Sequence, residues 1–576
     1  MLKHLFISTP FVAIVAIFLS YSFVFAVEPQ ENFDYWKKLL HYDGKQSMVT
    51  PNSFFLHEEG NTDYIAELGT TIELLNSEKG NLIACNYPAR YLWIKDRGFD
   101  VPSFDIESCL ELKEYVDGFQ KDSLSLVFAS EHIDSPASAF GHILLVFHDD
   151  DKPLLTADTI HFAAETSQDN FIKYAYMGLS GGYPGYFFRT PFYIIKNMYV
   201  IVEQRSLFFY QLNLSREQIK FLIYHLFELR KAEYKYYFIR ENCAYQIARL
   251  LEIAYAHEHD DRHSMYVLPA EIVNFYNDRV VNQHTIEASL MRAQRIFDKM
   301  TSDERQTYSS AIKGTLPIQD NLPDKVKEVL AIKYEYMFRR YRRVLPDYDE
   351  AVRLKFNNSL PAPPLFNLDK NNNKNMLGLG SYMDSGSRGV FIQYRPIGRD
   401  IYENQLAKLQ ESHLTLLDTQ LIVTDNMKVK LHRLDFISAK SIYNRSSISS
   451  VASWSVNFGI NRQNSNNDAV LDLSFGVGRG YSGKYFGISL LIGSGLQDSD
   501  SEGVVYLKPS IELICYPVNN VKIGFAAFEK YGNRGRYDEV TVFLNKDFNR
   551  LSILAKYIIS GSTSGDYLIL ALRRHF

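Results

Sequence analysis

Hydrophobic and polar residues alternate one by one along the last third of the chain. The clearest run has Leu471, Leu473, Phe475 and Val477 alternating with Asp472, Ser474, Gly476 and Gly478. A period of two residues places the two sets on opposite faces of a β-strand. About ten to twelve such segments, joined by Gly, Asn and Asp turns, predict an all-β antiparallel domain.

This β-domain could close as a membrane barrel or pack as a soluble β-sandwich. The chain ends on Phe576, and Leu568, Leu570 and Leu572 share its parity. Such an ending resembles the terminal strand of bacterial outer-membrane barrels, although Arg574 interrupts the apolar set. We favour the barrel.

The earlier part of the chain mixes helical and strand patterns. Short apolar runs of strand length lie at 124–128, 143–147 and 159–163, and helices are predicted to begin near Ser215 and Asn242. The predicted fold class is therefore α+β, followed by the all-β part. The predicted division is a signal peptide at 1–26, a helical domain at 27–120, a mixed domain at 121–295, a helical segment at 296–356, a linker at 357–375 and the barrel-like domain at 376–576.

The N-terminus has the pattern of a secretory signal peptide. Lys3 and His4 precede an apolar run from Leu5 to Phe25, and Ala26 offers a small residue for cleavage. An uncleaved anchor is the alternative, because the run is about long enough to span a bilayer. Cleavage is favoured, which makes the mature protein an exported one.

The composition indicates which classes of binding partner to expect. Aromatic residues make up 14% of the chain, which favours extended β-structure or contact with lipid. The formal net charge is −5 and there is no basic tract, so nucleic acid is not predicted as a partner.

The four cysteines are predicted to differ in their chemical state. In an oxidising compartment Cys85 and Cys109 are the natural disulfide pair, because they close a short loop. Cys515 lies in a strand pattern and is expected to be inert. Cys243 is then a free thiol.

The candidate chemistry is that of a thiol and an imidazole. Cys243 follows Asn242, a favoured N-cap residue, and the first turn of a helix favours the thiolate form. His142 follows Gly141 at the start of an apolar strand, where it could act as the base, and His161 on the next strand could orient it. The structural alternatives are a small buried hydrophobe for the cysteine and satisfied core residues for the histidines.

Further residues complete the candidate site. We assign Ser138, Tyr183 and Asn242 to substrate contacts, and Glu203 with Arg205 to a structural ion pair. His257, His259 and His263 could bind a metal, but a solvated loop is favoured, so neither metal nor cofactor is predicted.

Three motifs resemble the family named for the N-terminal periplasmic domain of the lipoprotein N-acyltransferase Lnb. They are Ser135–His142 (SPASAFGH), Gly182–Gly185 (GYPG) and Glu241–Tyr245 (ENCAY), within a likeness that spans about residues 121–275. The order of histidine and cysteine is also similar to circularly permuted papain-like enzymes of the NlpC type. The resemblance implies a papain-like catalytic domain at 121–295.

By that likeness Cys243 would be the nucleophile, His142 the base and His161 the polar third residue, where many relatives have Asn. The resemblance implies acyl transfer through a thioester, with a phospholipid or lipoprotein as substrate. It departs from the acyltransferase where the C-terminal part is rich in β-structure instead of membrane helices.

Three functions remain open at this point. The first is an exported thiol-dependent acyltransferase or hydrolase acting on lipid or lipoprotein acyl groups. The second is a cysteine amidase or peptidase acting on cell-wall peptide, and the third is a non-catalytic outer-membrane protein with a vestigial papain-like domain. All three place the chain in the periplasm or outer membrane of a Gram-negative bacterium.

Overall fold

A computed structural model gives the structure of most of the chain. It describes residues 31–50, 54–131, 139–166, 171–238, 240–255, 267–354, 375–384, 386–403, 410–443, 446, 448–449, 451–462, 469–482, 485–499, 502–518, 520–532, 535–548, 550–561 and 566–576. The expected signal peptide and Ser138 lie outside these ranges, as do the three histidines at 257–263 and nearly all of the expected linker.

Helices dominate the described chain before residue 355. The α-helices are Glu31–Leu39, Tyr64–Leu75, Gly80–Asn86, Pro88–Asp96, Leu110–Asp117, Phe171–Ser180, Phe192–Lys196, Arg216–Glu228, Cys243–Ala254, Pro269–Phe275, Ser289–Asp298, Ser302–Ile312, Asp324–Tyr341 and Tyr348–Arg353, and a π-helical turn covers Asn197–Val202. Among the described residues, no helix is both long and apolar enough to cross a bilayer.

The chain divides into two compact units. The first takes in the described parts of 1–118, 220–234 and 249–261, and it includes the two-stranded ribbon β1 (Tyr42–Asp43) and β2 (Gln46–Ser47). A disulfide joins Cys85 to Cys109 with their Cα atoms 5.8 Å apart, which confirms the predicted pairing.

A buried ion network holds the first unit together. Arg90 is fully buried, and its guanidinium lies 3.0 Å from Glu67 and 3.4 Å from Glu228. Each carboxylate also accepts backbone N–H groups: Glu67 from Leu56 and His57, Glu228 from residues 89 and 90. One guanidinium therefore lies between two buried carboxylates and offsets part of the cost of burying them.

The second unit covers 119–219, 235–248 and 262–576 and contains a seven-stranded sheet and a barrel. The sheet order is β8-β6-β5-β4-β3-β7-β9. Its strands are β3 (Ser123–Ala129), β4 (His142–His148), β5 (Asp158–Ala164), β6 (Tyr183–Pro191), β7 (Leu207–Leu212), β8 (Tyr234–Tyr236) and β9 (Val280–Ile286). The central strands β3 and β4 are buried along almost their whole length, as their apolar runs predict.

A helical layer lies between this sheet and the barrel in the sequence. Its four helices, from Ser289 to Arg353, share a core that includes Ile296, Val326 and Leu330. Ile448, from a connection between two barrel strands, is fully buried in the same core, and the Lys333 ammonium donates to its carbonyl at 2.7 Å. The helices are thus packed onto one end of the barrel.

The C-terminal part is a closed antiparallel barrel, as predicted, and the sandwich alternative is wrong. Twelve strands form the wall, since β10 pairs with both β11 and β22 while the short β12 continues β11 along β13. The strands are β10 (Met376–Asp384), β11 (Arg388–Arg395), β12 (Ile397–Arg399), β13 (Gln410–Thr424), β14 (Val429–Tyr443), β15 (Ser453–Arg462), β16 (Ala469–Ser482), β17 (Phe486–Ser499), β18 (Glu502–Cys515), β19 (Val521–Gly532), β20 (Gly535–Phe548), β21 (Leu551–Ser560) and β22 (Tyr567–His575).

Apolar side chains face outward from the barrel and polar ones face the lumen. On β16 the outward residues Leu471, Leu473, Phe475 and Val477 are exposed, whereas Asp472 and Ser474 are buried. On β22 Leu570 and Leu572 are exposed and Arg573 is fully buried. An apolar outer band on a barrel without free edges is the arrangement that a lipid bilayer stabilises.

We expect Arg90→Met to destabilise the first unit by about 3–5 kcal/mol, because two buried carboxylates lose the guanidinium that pairs with both of them. Thermal unfolding can be followed through Trp36 and Trp93, which are buried in this unit, in a Trp454→Phe background. The control is Lys220→Met, which removes a solvated ion pair with Glu107. Equal losses of stability in the two variants would show that the buried network contributes no more than a solvated ion pair.

Candidate active site

His142 is the first residue of β4, and the residue before it has to be glycine. Gly141 has φ +96°, and a Cβ there would lie 2.4 Å from the Phe128 ring. This close approach sets the start of the strand against β3, where His142 pairs with Ala129. The imidazole is 7% exposed.

Cys243 is the first residue of its helix, and Asn242 caps that helix as predicted. The Asn242 Oδ1 accepts the N–H groups of Ala244 at 2.9 Å and Tyr245 at 3.3 Å. Its amide Nδ2 donates to the Val267 carbonyl at 2.8 Å. The cap fixes the first helical turn and therefore the position of the cysteine.

The thiol is 2% exposed, and backbone N–H groups surround its sulfur. Burial is the largest effect and raises the pKa of the Cys243 thiol to about 11. Hydrogen bonds from the backbone of Ile143, Ala244 and Cys243 itself, together with the Arg205 charge, act in the opposite direction. The Ile143 contact places the sulfur beside the residue that follows His142.

The two histidines lie on neighbouring strands. Their ring centroids are 6.4 Å apart, and His142 also lies 5.9 Å from the Tyr199 ring. The His142 Nε2 is buried and has no hydrogen-bond partner among the described residues. The His161 Nε2 lies 3.2 Å from the Thr190 hydroxyl, and its ring stacks on Phe188. Threonine, and not His142, is thus the hydrogen-bond partner of His161.

Burial keeps both imidazoles neutral. It holds the pKa of His142 well below its usual value, with the Arg205 charge and His161 adding to the effect. Burial lowers the pKa of His161 to about 4. At neutral pH the site therefore contains a neutral thiol and two neutral imidazoles.

Arg205 is a member of the site that the sequence did not reveal. It is fully buried and forms the expected ion pair with Glu203 at 3.0 Å, but it also donates to the carbonyls of Ala129 at 3.1 Å and Ser130 at 2.6 Å. Its guanidinium lies over the Tyr199 ring, beside His142. Its charge acts on both Cys243 and His142, although burial has the larger effect on each.

The predicted substrate residues have different surroundings. Tyr183 is buried, with its ring 5.9 Å from Tyr174, and Asn242 is used as the helix cap. Tyr236 was not predicted, yet its buried phenol lies beside the backbone of Cys243. Substrate contacts of Ser138, Tyr183 and Asn242 stay predictions.

The fold and composition define an outer-membrane β-barrel protein that carries an α+β domain, and the chain lies in the periplasm or outer membrane. Residues 111–275 match the family described as the Lnb N-terminal periplasmic domain. Residues 31–97 and 369–527 match two domains of unknown function, DUF7843 and DUF7840. No curated protein matches the chain.

Solved porins match about a third of the chain, 35% in each of three cases. The KdgM porin aligns with a TM-score of 0.23 and 9% identity, over 35% of this chain and 99% of its own. OmpT of Vibrio cholerae aligns at 0.19 and 9%, over 35% and 98%, and an anion-selective porin from Comamonas acidovorans at 0.19 and 7%, over 35% and 98%. The barrel is assigned from the strand pairing of this chain, which closes the sheet on itself.

Alkylation of Cys243 by iodoacetamide should be slow at neutral pH and should rise about tenfold per pH unit between about pH 7 and pH 10, because only the thiolate reacts. A Cys515→Ser background leaves Cys243 as the single free thiol. Mass spectrometry of the native protein, with the urea-unfolded protein as control, measures the rate. A plateau below pH 8 would contradict the raised pKa.

Proposed function

We propose that the α+β domain is a thiol-dependent acyltransferase or acyl hydrolase with Cys243 as nucleophile and His142 as base. One observation carries the proposal: the cysteine sulfur lies at a capped helix start, receives the Ile143 N–H, and so adjoins the strand that begins with His142. A rigid thiol and imidazole on a helix start and a strand are the parts that such an enzyme needs.

The proposed reaction begins with transfer of the Cys243 proton to the His142 imidazole. The thiolate attacks an ester carbonyl, the C–O bond breaks, and the alcohol leaves with the proton from His142, which yields a thioester. An amine or water then attacks the thioester carbonyl, gives up its proton to His142, and the C–S bond breaks to restore the thiol. The His142 Nε2 forms no hydrogen bond with the sulfur or with any other described atom, so proton transfer to this atom requires the two residues to move closer together.

Exposed apolar side chains beside His161 favour an acyl substrate. Phe188, which stacks on His161, is partly exposed, and the next helix exposes Tyr193 and Ile194. Exposed apolar groups of this size are typical of surfaces that meet lipid or a partner. The papain-like likeness remains part of this proposal, with His161 as the third residue, held by Thr190.

A second candidate is a non-catalytic domain that serves the barrel. The observation that favours it is the enclosure of the thiol, which is 2% exposed and has a pKa raised to about 11 by burial. A site of this kind reacts only if substrate binding or an opening motion exposes the sulfur.

The full-length protein in detergent, incubated with phospholipid and analysed by intact mass spectrometry, should gain one acyl mass that neutral hydroxylamine removes. Cys243→Ala should abolish the adduct, whereas Cys515→Ala, which removes the other free thiol, should leave it. His142→Gln should slow adduct formation by about 10²–10⁴-fold, because proton transfer is lost.

Released fatty acid and acylated amine are measured in the same samples, so that a short-lived thioester is still detected through its products. An adduct that persists in Cys243→Ala would refute the nucleophile. Absence of both adduct and products in the wild-type protein would favour the non-catalytic candidate.

A further inference from the structure

Residues 400–403, which follow β12, lie inside the barrel at the end where Met376 pairs with His575. Asp400 in this segment accepts ion pairs from two fully buried arginines, Arg395 at 3.0 Å and Arg573 at 2.8 Å. These contacts fix residues 400–403 to the inner face of the barrel wall, and we call these residues the plug.

The plug has further attachments to the wall. Glu403 forms an ion pair with Arg395, and its carbonyl accepts the Lys522 ammonium at 3.2 Å. The Tyr402 ring packs on Phe543 with centroids 4.9 Å apart. Tyr402 also lines the cavity in the lumen, so the plug forms part of that cavity's wall.

This cavity has a volume of about 230 Å³ and an excess of positive charge. Six cationic side chains line it: Arg433, Lys440, Arg462, Lys508, Lys530 and Lys556. Only three carboxylates do so: Asp472, Glu512 and Glu539.

Ion pairs account for only part of that charge. Lys440 pairs with Glu512 and Lys530 with Asp472, while Arg433 binds Asp435 through both carboxylate oxygens. Lys508 and Lys556 have no carboxylate within ion-pair distance among the described residues. Their ammonium groups lie over the rings of Phe528 at 4.4 Å and Tyr402 at 5.5 Å.

The two lysines share one neighbourhood. Both ammonium groups interact with the Arg433 guanidinium and the Glu539 carboxylate, although they come from strands β18 and β21. Both lysines line this cavity without an ion-pair carboxylate among the described residues, and the cavity is larger than several water molecules, so it has room for a small anion.

We propose that the barrel lumen is a binding site for a small soluble oxyanion, a phosphate or carboxylate group, attracted by the positive charge that Lys508 and Lys556 add to the cavity. The closed strand wall separates this site from lipid, and its lining residues all lie between Tyr402 and Tyr567, in the barrel part of the chain. The site is therefore independent of the proposed thiol chemistry. It makes the barrel a ligand-binding element in addition to a membrane anchor.

Calorimetric titration of the full-length protein in nonionic detergent with inorganic phosphate at low salt tests the proposal. We expect the affinity for phosphate to fall about tenfold in the single variant Lys508→Met and about tenfold in the single variant Lys556→Met, since each removes a charge-assisted hydrogen bond. Lys428→Met, which removes the same charge from an exposed turn, should bind like the wild type. The faster migration of the unheated barrel in detergent gels verifies that each variant is folded.

Two parallel titrations identify the source of the anion. A small soluble carboxylate should also bind, whereas phosphatidylglycerol in mixed micelles should not. Absence of phosphate and carboxylate binding to the wild type, or equal affinity in the wild type and both lumen variants, would overturn the proposal. Binding of the lipid alone would overturn it as well.

Discussion

The constraint on which the structure depends is that a sheet in lipid can leave no backbone edge unpaired. β10 meets it by pairing with its sequence neighbour β11 on one side and with the last strand β22 on the other. Once the ring is closed, the period of two sends every second side chain into a lumen from which lipid is excluded. Charged side chains that face the lumen are partly paired there, as Lys530 is with Asp472.

The same desolvation determines the state of the candidate active site. Burial disfavours the charged form of each group, and it outweighs the N–H groups and the guanidinium that favour the Cys243 thiolate. Arg205 acts in two directions, because its charge favours the thiolate but opposes a positive charge on His142. The resting site is therefore neutral, and a neutral buried thiol resists oxidation in an oxidising compartment. A charged pair of Cys243 thiolate and His142 imidazolium therefore forms only if the substrate brings a group that stabilises these charges, or if the sulfur becomes less buried.

Sequence reasoning succeeded where the signal is local. The alternation from Leu471 to Val477 predicts which side chains face outward, and a short loop between Cys85 and Cys109 predicts their disulfide. The Asn242 cap is local in the same sense, since its partners are two and three residues away. In each case the residues that make the contact are close together in the sequence or follow a fixed period.

What the sequence could not show depends on contacts between distant residues. The sequence predicts only an ion pair of Arg205 with Glu203. The fold brings the carbonyls of residues 129 and 130 to its guanidinium as well. No sequence pattern marks Asp400 and Glu403, yet both are buried beside Arg395 from β11, and Asp400 also pairs with Arg573 from β22. No local period marks such residues, because their partners are set by barrel closure.

Packing also ties the candidate active site to the barrel within the second unit. Tyr199, beside His142, belongs to the π-helical turn Asn197–Val202, which packs against the helix Asp324–Tyr341. That helix shares its core with Ile448 from the barrel and binds its carbonyl through Lys333. Each layer is buried and apolar, so the position of the site relative to the barrel end is fixed by close packing and does not depend on the segment that joins the helices to β10.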